Sequence, residues 1–458
     1  MHTIDASLPV MNTGLNTVLS TSAIAAQEME RSAEGASLKK NASSQAAAVM
    51  RYVTVHAGAR DGYQVALALA DSGRLESLQT DFYGPAAPGW LRWLLRTLPA
   101  TRRSAGRVCA GLDDRRVKNV WLSFLVRIGD RTGRHTFLTP LRDKLLGWAA
   151  TRAAKASGAN MLSYSYYADS AFAGLGPQVR KVLFQVHPHP TMARRILSEE
   201  LKCFPAGKLS LAVEQELNLP AAELARLAGE AHLADFVITP STFARHSLIE
   251  AGISAERIRV VPYGVDLTAF PPRQAFETHP GPLRLIFVGA LVQRKGLGYL
   301  FEAVRQLPAG SVAIILIGRG FKDDPLLKAY QDVPFRMLWN VSREELVREL
   351  QRADVFVFPS LVESFALVLL EAMAVGLPVI TTSNTAGPDI MREGIDGFVG
   401  PIRDVGFLVE KIRYFIEDRS RVAVMGAAAQ ERARHWTWAR FRTGVNAALS
   451  EFEEGRTS

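Results

Sequence analysis

Short apolar strands alternate with amphipathic helices along most of this chain, and the alternation forms two successive cycles. In the first cycle we predict a helix opening at Gly62 and strands at residues 52–56, 182–186, 236–239 and 258–262. In the second cycle we predict helices at 297–306, 343–351 and 366–374, between strands at 285–288, 313–317, 355–358 and 379–381. This order predicts parallel α/β sheets with helices on both faces.

A proline-bearing segment separates the two cycles. Residues 266–281 contain Pro271, Pro272 and Pro280, as expected of a linker. We therefore predict two doubly wound α/β domains, at residues 50–265 and 266–432, that face a central cleft. In such domains ligands bind outside the carboxyl ends of the strands, so the cleft is the predicted site.

The start of the chain differs from the rest in composition. Residues 1–49 are rich in Ala, Ser, Thr and Asn and show neither apolar periodicity nor the pattern of a secretory signal. We interpret them as a disordered tail, or as a non-native extension if the true start is Met50. Cys109 and Cys203 are the only cysteines, which is too few for a disulfide framework and favours a reducing cytoplasm. No apolar run is long enough to span a bilayer.

The segment 353–382 contains the residues that say most about chemistry. A buried strand ends at Pro359, a short loop carries Glu363, and a helix begins near Ser364, with Glu371 two turns further on. The amides at a helix N-terminus bind diphosphates, and the two glutamates could accept hydrogen bonds from sugar and ribose hydroxyls. Alternatively, Glu363 and Ser364 only cap the helix and Glu371 is an ordinary helix-face charge. We favour the ligand site, because a glutamate among apolar neighbours is costly to bury without a partner; these are Leu369, Leu370 and Met373.

Glu363 and Glu371, separated by seven residues, resemble the signature of glycosyltransferase family 4. That family comprises retaining nucleotide-sugar enzymes of the GT-B fold, with two Rossmann-like domains facing a cleft. Further segments match the family in order and spacing: 234–238 with Ser241, 261–266, 287–291, 294–296, 317–320 and 341–346. The resemblance is dense over residues 231–400 and diffuse before them.

The resemblance implies a role for each part of the chain. Residues 50–265 would bind the acceptor, residues 266–432 would bind the donor, and residues 433–458 would cross back to the first domain. The donor-binding residues that it implies are Gly289, Arg294, Lys295, Gly318, Val341, Glu363, Ser364, Phe365, Ala366, Leu367 and Glu371. Of these, Lys295 and Glu363 are also predicted to be catalytic.

Lys295 and His187 are predicted to act on the reacting groups. A cation beside a helix N-terminus stabilises the negative charge that develops on a departing diphosphate, and Arg294 would supply a second cation. His187 ends a strand at the cleft, where the resemblance implies contact with the donor sugar; a structural role, or His189 in its place, is the alternative. The two histidines lack a third metal ligand and the resemblance implies no divalent ion, so we predict neither metal nor cofactor.

The first strand is followed by a loop that contains Gly58, Arg60 and Gly62. Glycines allow close approach of the backbone to a phosphate or an acceptor, so we predict an acceptor or phosphate loop; a tight turn without a ligand is the alternative. The chain also departs from the family pattern. Ala290 stands where an arginine is common, Ala366 and Trp339 stand where glycines are usual, and Asp389 replaces a glutamate.

Positive charge is concentrated in one segment, residues 89–144. The chain has a formal net charge of +9, and this segment alone has the same net charge. Its basic residues are Arg92, Arg96, Arg102, Arg103, Arg107, Arg115, Arg116, Lys118, Arg127, Arg131, Arg134, Arg142 and Lys144, against Asp113, Asp114, Asp130 and Asp143. Together with Trp90 and Trp93 the pattern fits a helix on an anionic membrane, or a core helix with solvated arginines. No nucleic-acid-binding module accompanies the charge, so nucleic acid is not a predicted partner.

We therefore expect a retaining hexosyltransferase that uses a UDP- or GDP-linked sugar and a glycan or lipid-linked acceptor in cell-surface polysaccharide or glycolipid synthesis. It would act in the cytoplasm or peripherally on the cytoplasmic face of a membrane. The alternative is a catalytically inactive nucleotide-sugar-binding or scaffold subunit, which Ala290 and Trp339 motivate.

Overall fold

The structure, a computed structural model, describes residues 49–97, 101–130, 135–274, 280–320 and 324–455. Most of the predicted tail, parts of the basic segment 89–144 (98–100 and 131–134) and the end of 433–458 lie outside the described residues. No described helix is long and apolar enough to cross a membrane.

The described part of the first domain is built on a seven-stranded parallel sheet in the order β3-β2-β1-β4-β5-β6-β7. The strands are β1 Tyr52–Val55, β2 Leu75–Thr80, β3 Val117–Asn119, β4 Asn160–Tyr164, β5 Lys181–Phe184, β6 Phe236–Thr239 and β7 Ile258–Val260. All four residues of β1 are buried, as expected of a strand with helices on both faces. The strand order reverses between β1 and β4, which opens a crevice at their carboxyl ends.

The longer helices of the first domain connect these strands. They are α1 Gln64–Asp71, α2 Gly89–Thr97, α3 Trp121–Asp130, α4 His135–Ser157, α5 Pro190–Cys203, α6 Ala221–Leu233 and α7 Thr242–Glu250. Short helices lie at Arg102–Ala105, Ala168–Phe172, Lys208–Leu211 and Gln215–Asn218. The helix predicted to open at Gly62 begins two residues later, because Gly62 and Tyr63 have φ angles of 63° and 67°, which an α-helix excludes.

The described part of the second domain has a six-stranded parallel sheet in the order β10-β9-β8-β11-β12-β13. The strands are β8 Leu283–Ala290, β9 Val312–Arg319, β10 Phe335–Trp339, β11 Val355–Phe358, β12 Val379–Thr382 and β13 Gly397–Gly400. The longer helices are α8 Leu297–Arg305, α9 Arg343–Arg352, α10 Leu367–Val375, α11 Val405–Glu417 and α12 Ser420–Ala433, and short ones lie at Pro325–Ala329 and Gly387–Ile390. The strand order reverses between β8 and β11, so this sheet repeats the topology of the first.

The last helix, α13 Trp438–Glu454, returns to the first domain. Glu453 accepts a hydrogen bond of 2.9 Å from the Tyr52 hydroxyl, and the side-chain amide of Asn446 donates to the Ala68 carbonyl at 2.7 Å. Before the helix, Thr437 forms a β-bridge with Val265, where the chain leaves the first domain. The predicted fold class, two doubly wound α/β domains, is confirmed.

A buried carboxylate of the first domain, Glu200, contacts three side chains of the second domain. It is fully buried at the end of α5 and accepts hydrogen bonds from Gln293 at 2.7 Å, Tyr299 at 2.9 Å and Arg403 at 2.7 Å. Asp389, the residue that departs from the family pattern, adds a second contact by accepting a 2.9 Å hydrogen bond from the Thr242 amide. The two domains are thus joined by one buried carboxylate and by one exposed polar contact.

Candidate active site

The turn that follows β8 presents two cations to the cleft. Arg294 and Lys295 lie in a single 3₁₀ turn, which Gly296 ends with a φ of 73°. A Cβ atom on Gly296 would lie 1.9 Å from the Pro359 carbonyl oxygen, so only glycine lets this turn pack against the loop after β11. The close approach brings both cations beside Glu363.

Arg294, Lys295, Glu214 and Glu363 form a compact ionic cluster. The Lys295 ammonium forms an ion pair with Glu363, whose Oε1 also accepts a 2.9 Å hydrogen bond from Nη1 of Arg294. Nε of Arg294 donates to Oε2 of Glu214, in the first domain, at 2.9 Å. Burial, together with the neighbouring guanidinium of Arg294, lowers the pKa of Lys295 well below its usual range. A bound diphosphate would stabilise the charged forms of both cations.

The loop before α10 is held in a strained conformation. Ala366 has a φ of 68° and a ψ of 73°, in the left-handed region that favours glycine. The Phe365 carbonyl accepts a hydrogen bond of 3.0 Å from the Ala386 amide, and the Glu363 amide donates to the Asn384 carbonyl at 3.0 Å. The helix therefore begins at Leu367, slightly later than predicted.

This helix start has the features of an anion site. The first amides of α10 have no acceptor within the helix, and the helix dipole places partial positive charge there. The hydroxyl of Ser364 is buried and has no hydrogen-bond partner among the described residues. Phosphate oxygens could accept hydrogen bonds from both kinds of donor.

Glu371 lies in the second turn of α10, half-buried. Burial raises the pKa of its carboxyl to about 7, and the positive charge of Arg343 only partly opposes the shift. Arg343 begins α9, whose N-cap is Ser342, so the backbone next to Val341 and the Glu371 carboxylate belong to the same side of the second domain. A carboxyl group with a pKa near 7 is partly ionised at neutral pH, and its ionised form can accept hydrogen bonds from a diol.

Glycines at the ends of β8 and β9 keep the neighbouring surface free of side chains. Gly289 and Gly318 are paired in the sheet, and a Cβ on Gly318 would lie 1.6 Å from the Gly289 carbonyl oxygen. Trp339 is paired with Gly318 from the other side and is half-buried at the end of β10. The ring that departs from the family pattern therefore adjoins the glycine turn.

His187 follows β5 and is brought to the donor cations. Its ring meets that of Tyr166 edge to face, at 5.3 Å between centroids. Burial, and then the charges of Arg60, Arg294 and Lys295, lower the pKa of His187 to about 3. The imidazole is therefore neutral near pH 7, and cations of both domains are close enough to act on its charge.

His189, the alternative at the sequence level, has a structural environment. One ring nitrogen is 2.7 Å from the Thr191 hydroxyl, and the other is 3.1 Å from the Ala228 carbonyl oxygen. Both nitrogens are thus engaged inside the first domain, away from the cations that surround His187. Of the two histidines, His187 is the one placed to meet a ligand.

The loop after β1 has positive φ angles at four positions, of which the two that are not glycine, Asp61 and Tyr63, are strained. Gly58, Asp61, Gly62 and Tyr63 have φ angles of 74°, 44°, 63° and 67°. Such strain is stored where a structure must hold a special backbone shape, and the Gly58 amide is fixed by a 2.7 Å hydrogen bond to Asp81.

Arg60, on this loop, extends over the Tyr166 ring, 5.9 Å from its centroid. Its charge reaches His187, as the lowered pKa of that histidine records. The predicted acceptor loop and the predicted donor residues therefore meet around His187.

Several residues at this junction were missed by sequence reasoning. They are Asp61, whose carboxylate accepts a 2.6 Å hydrogen bond from the Tyr164 hydroxyl, and the cleft residues Tyr166, Glu214 and Arg343. Burial raises the pKa of Asp61 to about 7. Asp61 could have been suspected from its place in the glycine loop, whereas Glu214 lies in the region of diffuse resemblance and has no local signal. The described residues contain no group of three or more His, Cys, Asp or Glu side chains arranged to hold a metal.

Two family models match the chain. The model described as glycosyl transferases group 1 matches residues 272–432, and the model described as glycosyltransferase family 4 matches residues 107–269. Together they cover most of both domains.

Among curated proteins, the chain is 33% identical over 219 residues to a sulfoquinovosyl transferase of Arabidopsis thaliana, which is 45% of this chain and 42% of that protein. It is 30% identical over 223 residues to the amylovoran biosynthesis glycosyltransferase AmsK of Erwinia amylovora, which is 46% of this chain and 49% of that protein. The matched stretch thus spans about half the length of these curated relatives.

Among solved structures, a sucrose-phosphate synthase from Thermosynechococcus elongatus has a TM-score of 0.63 at 16% identity, over 89% of this chain and all of that one (100%). HepE of Anabaena, in complex with UDP-glucose, has a TM-score of 0.51 at 18% identity, over 88% of this chain and 100% of that one. At such identities the likeness shows the fold.

Proposed function

Because this chain belongs to the GT-B glycosyltransferases of the family 4 type, we propose that it transfers a sugar from a nucleoside-diphosphate donor to an acceptor held by its first domain. One observation carries the proposal: Arg294, Lys295 and Glu363 lie together at the positive end of α10, opposite His187. This arrangement supplies charge for a diphosphate and a carboxylate for a sugar at the same point of the cleft.

We assign the diphosphate to Lys295, Arg294 and the amides of Phe365, Ala366 and Leu367. Negative charge grows on the diphosphate as the glycosidic bond breaks, so fixed cations and amide dipoles stabilise the transition state more than the bound donor. The buried Ser364 hydroxyl is a further donor at this position.

The sugar and the ribose would occupy the two sides of this diphosphate. Glu363 positions the sugar hydroxyls, and Glu371 accepts hydrogen bonds from the ribose diol. Gly289, Gly318 and the backbone at Val341 leave room for the nucleoside to approach the sheet edge. The base is UDP- or GDP-type in this proposal, and Trp339 beside Gly318 is the side chain that would influence the choice.

The transferred group is proposed to be a hexosyl unit, with its configuration retained. In that reaction the acceptor hydroxyl attacks from the face that the diphosphate leaves, and a phosphate oxygen takes its proton. His187 contacts the sugar near the reacting carbon; because it is neutral, it adds no positive charge beside the cations already there. The loop with Gly58, Arg60 and Gly62 would hold the acceptor. No metal or cofactor takes part in this proposal.

The acceptor is proposed to be a glycan or a lipid-linked intermediate in cell-surface polysaccharide or glycolipid synthesis. The name of the Erwinia relative, an amylovoran biosynthesis glycosyltransferase, supports the first of these classes. We propose a cytoplasmic location, at the face of a membrane where such acceptors are presented.

The alternative function is that of an inactive nucleotide-sugar-binding or scaffold subunit. Ala290 stands at the end of β8, where an arginine is common, and Trp339, paired with Gly318, stands where a glycine is usual. Against this alternative, Arg294 contributes a guanidinium to the same ionic cluster, through its 2.9 Å hydrogen bond to Glu363.

Calorimetry with UDP, GDP and ADP, followed by a sugar-release assay with the matching nucleotide sugars, separates the two functions. We expect one nucleoside diphosphate to bind preferentially. In the absence of an acceptor, we expect the matching nucleotide sugar to be hydrolysed slowly. Binding without sugar release would favour the scaffold, and no binding to any nucleotide would overturn the enzyme proposal. Lys328→Ala, an exposed lysine of the same domain, is the matched control for Lys295→Ala.

A further inference from the structure

Helix α2 has apolar side chains on two faces. Leu91 and Leu95, one turn apart, pack into a core cluster that includes Phe82, Ala105 and Phe124. On another face of the same helix, Trp90, Trp93 and Leu94 are 69%, 68% and 43% exposed. The core therefore accounts for only one of the two apolar stripes.

The neighbouring helices α3 and α4 repeat this arrangement. In α3, Phe124 and Ile128 pack into the same core cluster, whereas Leu122 and Leu125 are 57% and 60% exposed. In α4, which packs along α3, the exposed apolar residues are Leu141 and Trp148. We call these outward residues the Trp–Leu face: Trp90, Trp93, Leu94, Leu122, Leu125, Leu141 and Trp148.

The charges around the Trp–Leu face are mainly positive. Helices α2, α3 and α4 contain the basic residues Arg92, Arg96, Arg127, Arg142, Lys144, Arg152 and Lys155, against the acidic residues Asp130 and Asp143. Asp143 is buried and paired with Arg142 at 2.7 Å, and Lys144 lies exposed on α4 between Leu141 and Trp148.

A groove of about 640 Å³ lies between α4 and the edge of the sheet at β2 and β3, and it is also mainly basic. Its charged lining consists of Arg115, Lys118 and Arg152, together with Glu76, whose carboxylate pairs with Arg51 at 3.2 Å. Its dimensions and charge suit an anionic headgroup.

We propose that the Trp–Leu face docks on a bilayer of anionic phospholipids, with the basic groove against the headgroups. Tryptophan rings prefer the boundary between headgroups and acyl chains, and arginines near it are attracted to anionic lipid. The inference rests on the proposed function, because a lipid-linked acceptor lies in such a bilayer.

The docking helices are connected to the acceptor loop by one buried carboxylate. Asp81 is fully buried, forms ion pairs with Arg127 of α3 and with Arg107 at 3.1 Å, and accepts the 2.7 Å hydrogen bond from the Gly58 amide. Contact of α3 with a membrane would therefore act on the strained loop that is proposed to hold the acceptor.

Co-sedimentation of the full chain with vesicles tests the proposal. The protein should sediment with vesicles of phosphatidylcholine and phosphatidylglycerol, dissociate as salt is raised, and stay in solution with phosphatidylcholine alone. The double variant Trp90→Ser/Trp93→Ser should lower vesicle affinity about tenfold or more. Arg92→Gln/Arg96→Gln should lower it about fivefold per arginine. Val424→Ser removes an equally exposed apolar residue, 69% exposed on α12 of the second domain, and should have no effect.

Nucleotide binding by the same variants separates this proposal from the proposed function. Intact nucleotide binding shows that a variant is folded, and loss of vesicle binding alone then supports the docking face. If the wild type bound vesicles but no nucleotide, the proposed function would be overturned and the docking proposal would still be supported. The docking proposal is overturned if the wild type ignores anionic vesicles, if the tryptophan variant binds like the wild type, or if ultracentrifugation shows tryptophan-dependent self-association instead.

Discussion

Nε of Arg294, in the second domain, donates a 2.9 Å hydrogen bond to the carboxylate of Glu214 in the first domain. The same guanidinium contacts Glu363, so in the proposed function a bound diphosphate would compete with two carboxylates for one cation. Donor binding and the contact between the domains would then be coupled through this residue.

Glu214→Gln should therefore strengthen the binding of the nucleoside diphosphate about threefold to tenfold at low salt, because one competing negative charge is removed. Calorimetry at two salt concentrations measures the effect, which should shrink as salt rises. Glu410→Gln, an exposed helix glutamate in the second domain, serves as control. Weaker binding by Glu214→Gln would show that the carboxylate supports the site instead of competing for it.

Lys295→Ala should lower kcat about 100- to 1,000-fold, with a smaller change in the donor KM. The reason is that in the proposed reaction the ammonium would face the negative charge on the leaving diphosphate, which is largest in the transition state. Steady-state kinetics with the preferred donor measure both constants, and Lys328→Ala should leave them unchanged. Normal turnover of Lys295→Ala would remove this lysine from the mechanism.

Glu371 should make nucleotide binding depend on pH. Its pKa is raised to about 7 by burial, so the fraction that is ionised, and able to accept two ribose hydroxyls, increases between pH 6 and pH 8. Wild-type affinity should rise over this interval more than that of Glu371→Gln, and Glu371→Ala should bind about 10- to 100-fold more weakly. Parallel pH profiles for the wild type and Glu371→Gln would contradict the assignment.

The same raised pKa affects stability with a defined sign. Because the folded protein holds this proton more tightly than the unfolded chain, the contribution of Glu371 to folding is largest at low pH and falls as pH rises toward about 7. The free energy of unfolding should therefore decrease less between pH 4.5 and pH 7 in Glu371→Gln than in the wild type. Thermal unfolding of both proteins across this range measures the difference.

Ala366→Gly should stabilise the protein by about 0.5–1 kcal/mol. An alanine in the left-handed region has a conformational cost that glycine avoids, and the greater freedom of glycine in the unfolded chain offsets only part of the gain. Chemical denaturation measures the change. Ala427→Gly, at an exposed position inside α12, should instead destabilise by about 1 kcal/mol. Equal effects at the two positions would contradict the strain at Ala366.

His187→Ala should affect turnover, whereas His189→Ala should affect stability. His187→Ala should lower kcat about tenfold, as expected for loss of one hydrogen bond to the sugar, with little effect on stability. His189→Ala should lower the melting temperature and spare turnover, because its ring is hydrogen-bonded within the first domain. Since the pKa of His187 is about 3, its protonation should not appear in the pH–rate profile between pH 5 and pH 8. The reverse pattern of effects would exchange the roles of the two histidines.

The fold was predictable where strands are buried on both faces, because such strands read as continuous apolar runs. β11 and β12 are of this kind, and their positions match the prediction closely. β3 is not: Val117–Asn119 has three residues, of which only the first is buried. An edge strand with so little apolar signal is fixed by pairing with β2, which a single sequence does not reveal.

The candidate site was predictable where its residues are close in sequence. Glu363 and Glu371 share one short segment, where the helix start and the apolar neighbours of Glu371 predicted a ligand site. Glu214 and Tyr166 reach the cleft only through tertiary packing, so no local pattern identifies them. For α2, helical periodicity could not decide between core and membrane, because the helix has apolar stripes on two faces and only the packing of Leu91 and Leu95 tells them apart.

Helix α13 also determines the order in which the two domains can be completed. The helix has three buried apolar side chains, Phe441, Val445 and Leu449. Its hydrogen-bond partners Tyr52 and Ala68 belong to the start of the first domain. The second domain is thus an insertion within the first. During synthesis the contiguous sheet of the second domain can form before α13 has been made, so the first domain is completed only after the second has been synthesised.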